Sequence, residues 1–176
     1  TAEFFAANMT VEMDDSDKLR ALLVDAKTFG IAIVPPDVNK GIHRFEPVSD
    51  KVVQYGLGAV KGTGQGAIEA IVRARSEGGP FTSLFDFCAR VDRGRINRRV
   101  VEALIKAGAF DRINAARSSL LASTALALDW AETQAAHADQ GGLFDALFDD
   151  GDSHGASSEE PPLVAAREWS IKERLT

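Results

Sequence analysis

The sequence predicts a mainly α chain with a small β element ahead of its helical part and an acidic, disordered C-terminal linker. Three observations carry that prediction. Five glycines crowd into residues 56–66 and run straight into a strongly amphipathic stretch that continues to Arg75. The same logic returns about 45 residues later, in residues 95–111. Near the start, the β-like run Ile31-Ala32-Ile33-Val34 is broken by Pro35-Pro36.

Taken in order, Phe4, Phe5 and Met9 mark a short first helix. Asp14 or Asp15 caps the next, from about Ser16 to Phe29, with Leu19, Leu22, Leu23 and Ala26 inward and Gly30 as its stop. The run at 31–34 pairs with Phe45 and residues 52–55 in a small sheet. Leu57 to Lys61 is a short helix, Gly62-Thr63-Gly64 a hairpin, and a longer helix follows. Cys88 shares an apolar stripe with Phe85 and reads as a small core residue. Ile96, Val100, Leu104 and Ala107 recur at helical spacing. Asn114 caps a further helix from Ala115 to about Ala131, with Leu120, Leu121, Leu126 and Leu128 on its apolar faces. From about Asp149 to Pro162 the composition turns to Asp, Gly, Ser, Glu and Pro, which reads as a disordered linker. Val164 to Leu175, with Trp169 and Ile171, opens another helix.

Composition bounds the function. Hydrophobic residues make up 45%, enough for a core, and a single cysteine excludes an intramolecular disulfide. His43, His137 and His154 show no metal-ligand spacing. No long apolar run or signal peptide is present, so a cytoplasmic protein without membrane contact is expected. The net charge of −6 hides a partition. Residues 1–50 carry 5 basic and 9 acidic side chains, residues 51–120 carry 12 and 6, and residues 121–176 carry 3 and 11. The positive middle holds both glycine turns, with Arg90, Arg93, Arg95, Arg98 and Arg99 clustered between them.

A glycine turn feeding a helix N-terminus is a phosphate-binding backbone. A P-loop needs Lys-Ser or Lys-Thr after its second glycine, and Gly66-Ala67 stands there. Gly62, Gly64 and Ala67 fit a dinucleotide fingerprint, but no second strand with an acidic ribose ligand follows. The remaining option is a helix-hairpin-helix, which grips the DNA backbone without reading sequence. Lys61 and the amides of Gly62, Thr63, Gly64 and Gln65 are expected to cradle one phosphate. Lys106 and the amides of Gly108, Ala109 and Phe110 are expected to cradle another. The one-glycine second hairpin is the degenerate copy. No carboxylate set for two-metal chemistry is visible, so no catalytic residue is assigned. Two alternatives differ in kind: a purely protein-binding helical domain, and a DNA glycosylase in which Asp86 or Asp92 follows the hairpin.

Residues 35–39, 55–62, 85–88, 97–102 and 104–111 stand in an order and spacing that resembles the bacterial C-family DNA polymerase III alpha subunits. The resemblance covers nearly all of residues 1–150. It implies that residues 1–50 end the fingers region, that 51–135 form a tandem helix-hairpin-helix domain holding duplex DNA, and that 136–148 carry a clamp-binding peptide. Residues 149–176 are then a linker and the start of a further module, in the family an oligonucleotide-binding barrel. Gln140-Gly141-Gly142-Leu143-Phe144 resembles the Q-x-x-L-F peptide that docks in the sliding clamp (beta subunit), with Gln140, Leu143 and Phe144 as contacts. The implied partners are double-stranded DNA, the clamp and other replicase subunits. The catalytic aspartates and their Mg2+ are implied to lie upstream. The chain is thus expected to be an excised, inactive piece of a nucleotidyltransferase, with no cofactor of its own.

Overall fold

Asp15 starts the second helix: its Oδ1 accepts from the N–H groups of Asp17 and Lys18, both at 3.1 Å. Two of the donors that a first helical turn leaves unpaired are thereby satisfied. Gly30, with φ +73°, ends the same helix. Its N–H reaches the Lys27 carbonyl while the Ile31 N–H reaches the Ala26 carbonyl at 2.8 Å, the bond pair of a left-handed cap. The computed structural model describes residues 1–145 and 159–175. Helices α1 (Ala2–Val11) and α2 (Ser16–Thr28) pack on each other and on a three-stranded sheet. Strand β1 (Ala32–Val34) runs parallel to β3 (Val52–Gln54), and β2 (Glu46–Ser49) pairs antiparallel on the other side of β3. The small sheet expected from residues 31–34 and 52–55 is present, but its third strand is Glu46–Ser49, just after Phe45, and it pairs with β3 and not with β1.

After a 3-10 turn at Leu57–Ala59 the chain is helical: α3 (Gln65–Gly78), α4 (Leu84–Arg90), α5 (Arg98–Lys106), α6 (Arg117–Ala122), α7 (Thr124–Asp145) and α8 (Ile171–Leu175). Ser83 caps α4 through the Asp86 N–H, and Asn97 caps α5 through the Val100 N–H at 3.0 Å. Two apolar clusters hold the molecule. Phe5, Met9, Ala26, Phe45 and Val53 centre the first. Ile68, Ile71, Phe87, Val101, Leu104, Ile105 and Phe110 centre the second. In the second, the Phe87 ring meets Phe81 and Phe110 edge-on, each at 4.9 Å between centroids. The clusters interleave in sequence, since Val38 belongs to the second while Val53, Tyr55 and Ala59 pack with the first. Asn39 locks the crossing segment by donating to the Phe81 carbonyl at 3.0 Å and accepting from its N–H at 2.7 Å.

Three expectations change. The helix expected from Ala115 to Ala131 is two helices, broken at Ser123. There the Ser123 N–H turns back to Ser119 and Leu120, and the Thr124 hydroxyl donates to the Leu120 carbonyl at 3.1 Å. Asn114 does not cap α6; its Oδ1 accepts from the N–H of Ala116, which is itself the N-cap residue, so Asn114 stands two residues too early. Helix α7 then continues to Asp145, through the whole of residues 140–144, the stretch that resembles a clamp-docking peptide. Its alanines explain this, because alanine has the highest intrinsic helix propensity. Finally, residues 159–170 are extended and lie along the helices, and helix resumes at Ile171 rather than Val164. The other residues read as a linker lie outside the described ones.

Candidate nucleic-acid interface

The glycine run divides into two kinds of position. A Cβ on Gly56 would sit 2.7 Å from the Arg44 backbone carbon, and one on Gly58 would sit 2.6 Å from the His43 carbonyl oxygen. These glycines let residues 42–45 press against the 3-10 turn, where the Leu57 N–H donates to Ile42 at 2.7 Å. Gly62 turns the chain at φ +92°, a region that disfavours side chains. The Thr63 hydroxyl braces that turn by donating to the Val60 carbonyl at 2.7 Å. Gly64 differs from all of these. Its φ is −95° and a Cβ there would meet nothing within 4 Å. Neither conformation nor internal packing demands a glycine, yet the position is the N-cap of α3 and lacks a side-chain cap.

The N–H groups of Gly64, Gln65 and Gly66 therefore open a 14-residue helix without a protein acceptor among the described residues. Unpaired amides and the positive end of the helix dipole point the same way, an arrangement that favours negative charge. The Arg95 guanidinium leans over it, 3.4 Å from where a Cβ on Gly66 would lie. Lys61, Gly62, Gly64 and Gln65 are exposed, and Thr63 is half-buried.

The second turn is built otherwise. Gly108 takes φ +81°, but its N–H donates to Ile105 and the Ala109 N–H donates to Leu104, both at 3.0 Å. Those amides close the C-terminus of α5. Ala109 and Phe110 are buried in the second cluster. Arg117 fills the space over Gly108, bonding Asp111 at 2.6 and 2.9 Å and the Lys106 carbonyl at 3.2 Å. Of the expected second amide cradle at Gly108, Ala109 and Phe110, the Gly108 and Ala109 donors are spent inside the fold, while the Phe110 N–H has no acceptor among the described residues and the residue itself is buried. Lys106 remains exposed at its edge.

Charge sorts in the same manner. Of the five clustered arginines, Arg90 pairs with Asp86, Arg93 with Glu132 and Arg98 with Glu102. Arg95 and Arg99 have no ion-pair partner among the described residues. Lys61, Gly62, Arg99 and Lys106 line one cleft of about 950 Å³ with an apolar floor that includes Val60 and Ala103. The two lysines found 45 residues apart in sequence are thereby brought to a single surface. The sequence reading missed three contributors from the far end of the chain, Trp169, Glu173 and Arg174, because nothing local signals a return from so far away.

Elsewhere the surface offers less chemistry. Among the described residues no three His, Cys, Asp or Glu side chains are grouped to hold a metal ion. Burial pushes the Cys88 thiol up to about 12, so it stays protonated and packs as an apolar group. No helix among the described residues is long and apolar enough to cross a membrane. Gln140 is exposed on α7, and Leu143 and Phe144 fall in its last turn. The side chains of Leu143 and Phe144 lie outside the described residues.

A family model described as a helix-hairpin-helix motif matches residues 30–120. DNA polymerase III subunit alpha of Neisseria meningitidis serogroup B is 47% identical over 174 residues, which is 99% of this chain and 15% of the relative. The protein of the same description from Vibrio cholerae serotype O1 is 42% identical over 176 residues, again 99% and 15%. That of Escherichia coli strain K12 is 47% identical over 134 residues, 76% of this chain and 12% of the relative. The chain spans about 15% of the length of the first of these relatives.

Proposed function

The chain belongs to the helix-hairpin-helix family, its homologues are DNA polymerase III alpha subunits, and from that premise we propose that it is the duplex-holding segment of a replicative DNA polymerase. The observation that supports this most is the uncapped N-terminus of α3, with Gly64 open to solvent and Lys61, Arg99 and Lys106 on the adjoining cleft. Backbone amides and lysine charge recognise phosphate, which every sequence shares, so the grip is sequence-independent. One phosphate sits on the Gly64–Gly66 amides, and a second is met by Lys106 through charge rather than through amides. Nucleotidyl transfer and its Mg2+ belong to the rest of the polymerase, whose setting is the cytoplasm. The segment alone is inactive.

Gly64→Val tests the grip. The side chain enters open space, so the fold stays intact by circular dichroism, while duplex affinity drops at least about tenfold by removal of one phosphate contact. Equal affinity of a folded variant and the parent overturns the reading in favour of a helix-packing turn, and leaves a protein-binding helical domain.

The same premise supports a second contact. Gln140, Leu143 and Phe144 dock in the sliding clamp, the two apolar side chains as anchors and the amide at the pocket rim. Replacing Leu143 and Phe144 with alanine should weaken binding to purified clamp by at least about 2 kcal/mol, the scale of interface anchors. Surface plasmon resonance measures this directly, and unchanged binding removes the clamp assignment.

A further inference from the structure

The extended segment 159–170 is pinned to the helical module. The Ser83 hydroxyl bonds the Glu160 carboxylate at 2.6 Å, the Val164 N–H donates to Ser123 Oγ at 2.8 Å, and the Ala166 N–H donates to Ser119 Oγ at 3.4 Å. Leu163 packs on the second cluster beside them. Ser123 is the residue of the helix break and Ser119 lies one turn before it on α6, so the end of α6 forms the seat of this strap. A chain held at Glu160, Val164 and Ala166 has little freedom in where it goes next. It goes to the cleft: Trp169, Glu173 and Arg174 line it with Lys61 and Lys106.

The charge that the strap brings can be counted. Two carboxylates line the cleft, Glu102 and Glu173. Glu102 is bonded to Arg98 at 2.6 Å. Glu173 accepts from Arg167 at 2.9 Å and from the Ser170 N–H at 2.7 Å. Both are occupied by their own neighbours. Arg174 has no ion-pair partner among the described residues and adds a fourth cation to Lys61, Arg99 and Lys106. Trp169 is half-buried and presents an indole beside them.

We infer that the strap is a wall of the duplex site, with Arg174 a phosphate contact and Trp169 packing against the DNA backbone. The inference rests on the duplex reading of the cleft. It makes the site a product of three separated segments, the first hairpin, the end of α5 and the strap.

The experiment is duplex binding by the full chain across a salt series, with Arg174→Ala, Lys172→Ala and Gly64→Val in parallel. Lys172 neighbours Arg174 on α8 and carries the same charge, but it does not line the cleft. Arg174→Ala is expected to weaken binding about tenfold at low salt and to lower the slope of log affinity against log salt by about 0.9. Lys172→Ala should leave the slope at the parent value. In a Trp130→Phe background, Trp169 fluorescence should change on duplex addition. If the parent binds and Gly64→Val is impaired, but Arg174→Ala matches the parent or binds more tightly, the strap is no wall and the inference fails alone. If the parent itself does not bind duplex, the reading of the cleft fails and the inference falls with it.

Discussion

Gly58 and Gly64 stand six positions apart in one motif and are glycines for opposite reasons. At Gly58 a methyl group would meet the His43 carbonyl oxygen at 2.6 Å, a backbone atom that cannot rotate aside. At Gly64 it would meet nothing. Gly58→Ala should therefore cost about 1–3 kcal/mol, the range for forcing atoms into a packed site. Gly64→Ala should cost no more than about 1 kcal/mol, the scale of an N-cap preference. Chemical denaturation of both variants checks this, and the order should invert when duplex affinity is measured on the folded proteins. A glycine that the fold does not require is the one expected to face a ligand.

At the level of elements, α5 joins core and surface. Val100, Val101, Leu104 and Ile105 are buried in the second cluster, while Ala103 meets the Gly62 turn and Lys106 reaches the cleft. Its start depends on Asn97, whose side chain holds the Val100 N–H at 3.0 Å. Asn97→Ala should destabilise the chain by about 1 kcal/mol in a thermal or urea melt, the usual loss for such a cap. Local signals of this kind made much of the fold legible in the sequence. Asp15 and Gly30 bound α2 as their chemistry predicts, and the proline pair closes the strand before it. The break at Ser123 was not legible, because whether Ser or Thr inside an apolar repeat bends a helix depends on where its hydroxyl bonds. Here the Thr124 hydroxyl turns back to the Leu120 carbonyl, and Ser123 Oγ accepts from the Val164 N–H, 41 residues away. The candidate site was legible in its lysines and its first hairpin. The Gly108 and Ala109 part of the second amide cradle was misread because a glycine in a helix cap and a glycine in a phosphate turn look alike in sequence, and only the bonds their N–H groups make to Ile105 and Leu104, with the Arg117–Asp111 pair over Gly108, separate them.

Across the whole molecule, averages mislead. A net charge of −6 argues against a polyanion partner, yet the carboxylates of the positive middle are largely consumed by their own arginines. Of the cations left unpaired, Lys61, Arg99, Lys106 and Arg174 gather on one cleft, while Arg95 stands beside Gly66 at the start of α3. With three to four such cations facing phosphates, log affinity should fall against log salt with a slope of about −3. Duplexes of unrelated sequence should give the same line at matched salt. A strong sequence preference in fluorescence anisotropy would count against phosphate recognition.

The interleaving of the two clusters sets how this grip can be moved to another protein. Val38 is fully buried among the helices, and Asn39 fastens both backbone groups of Phe81. Arg75, on α3 itself, donates to the carbonyls of Val38 and Gly41 at 2.8 and 2.9 Å. A graft cut just before the glycine run would leave an open socket in its own core and an arginine with nothing to hold. A portable unit therefore needs residues 37–41 with the helices, and because Phe45 and Val53 are buried in the first cluster and β3 pairs with β1, it needs the segment ahead of Asp37 as well.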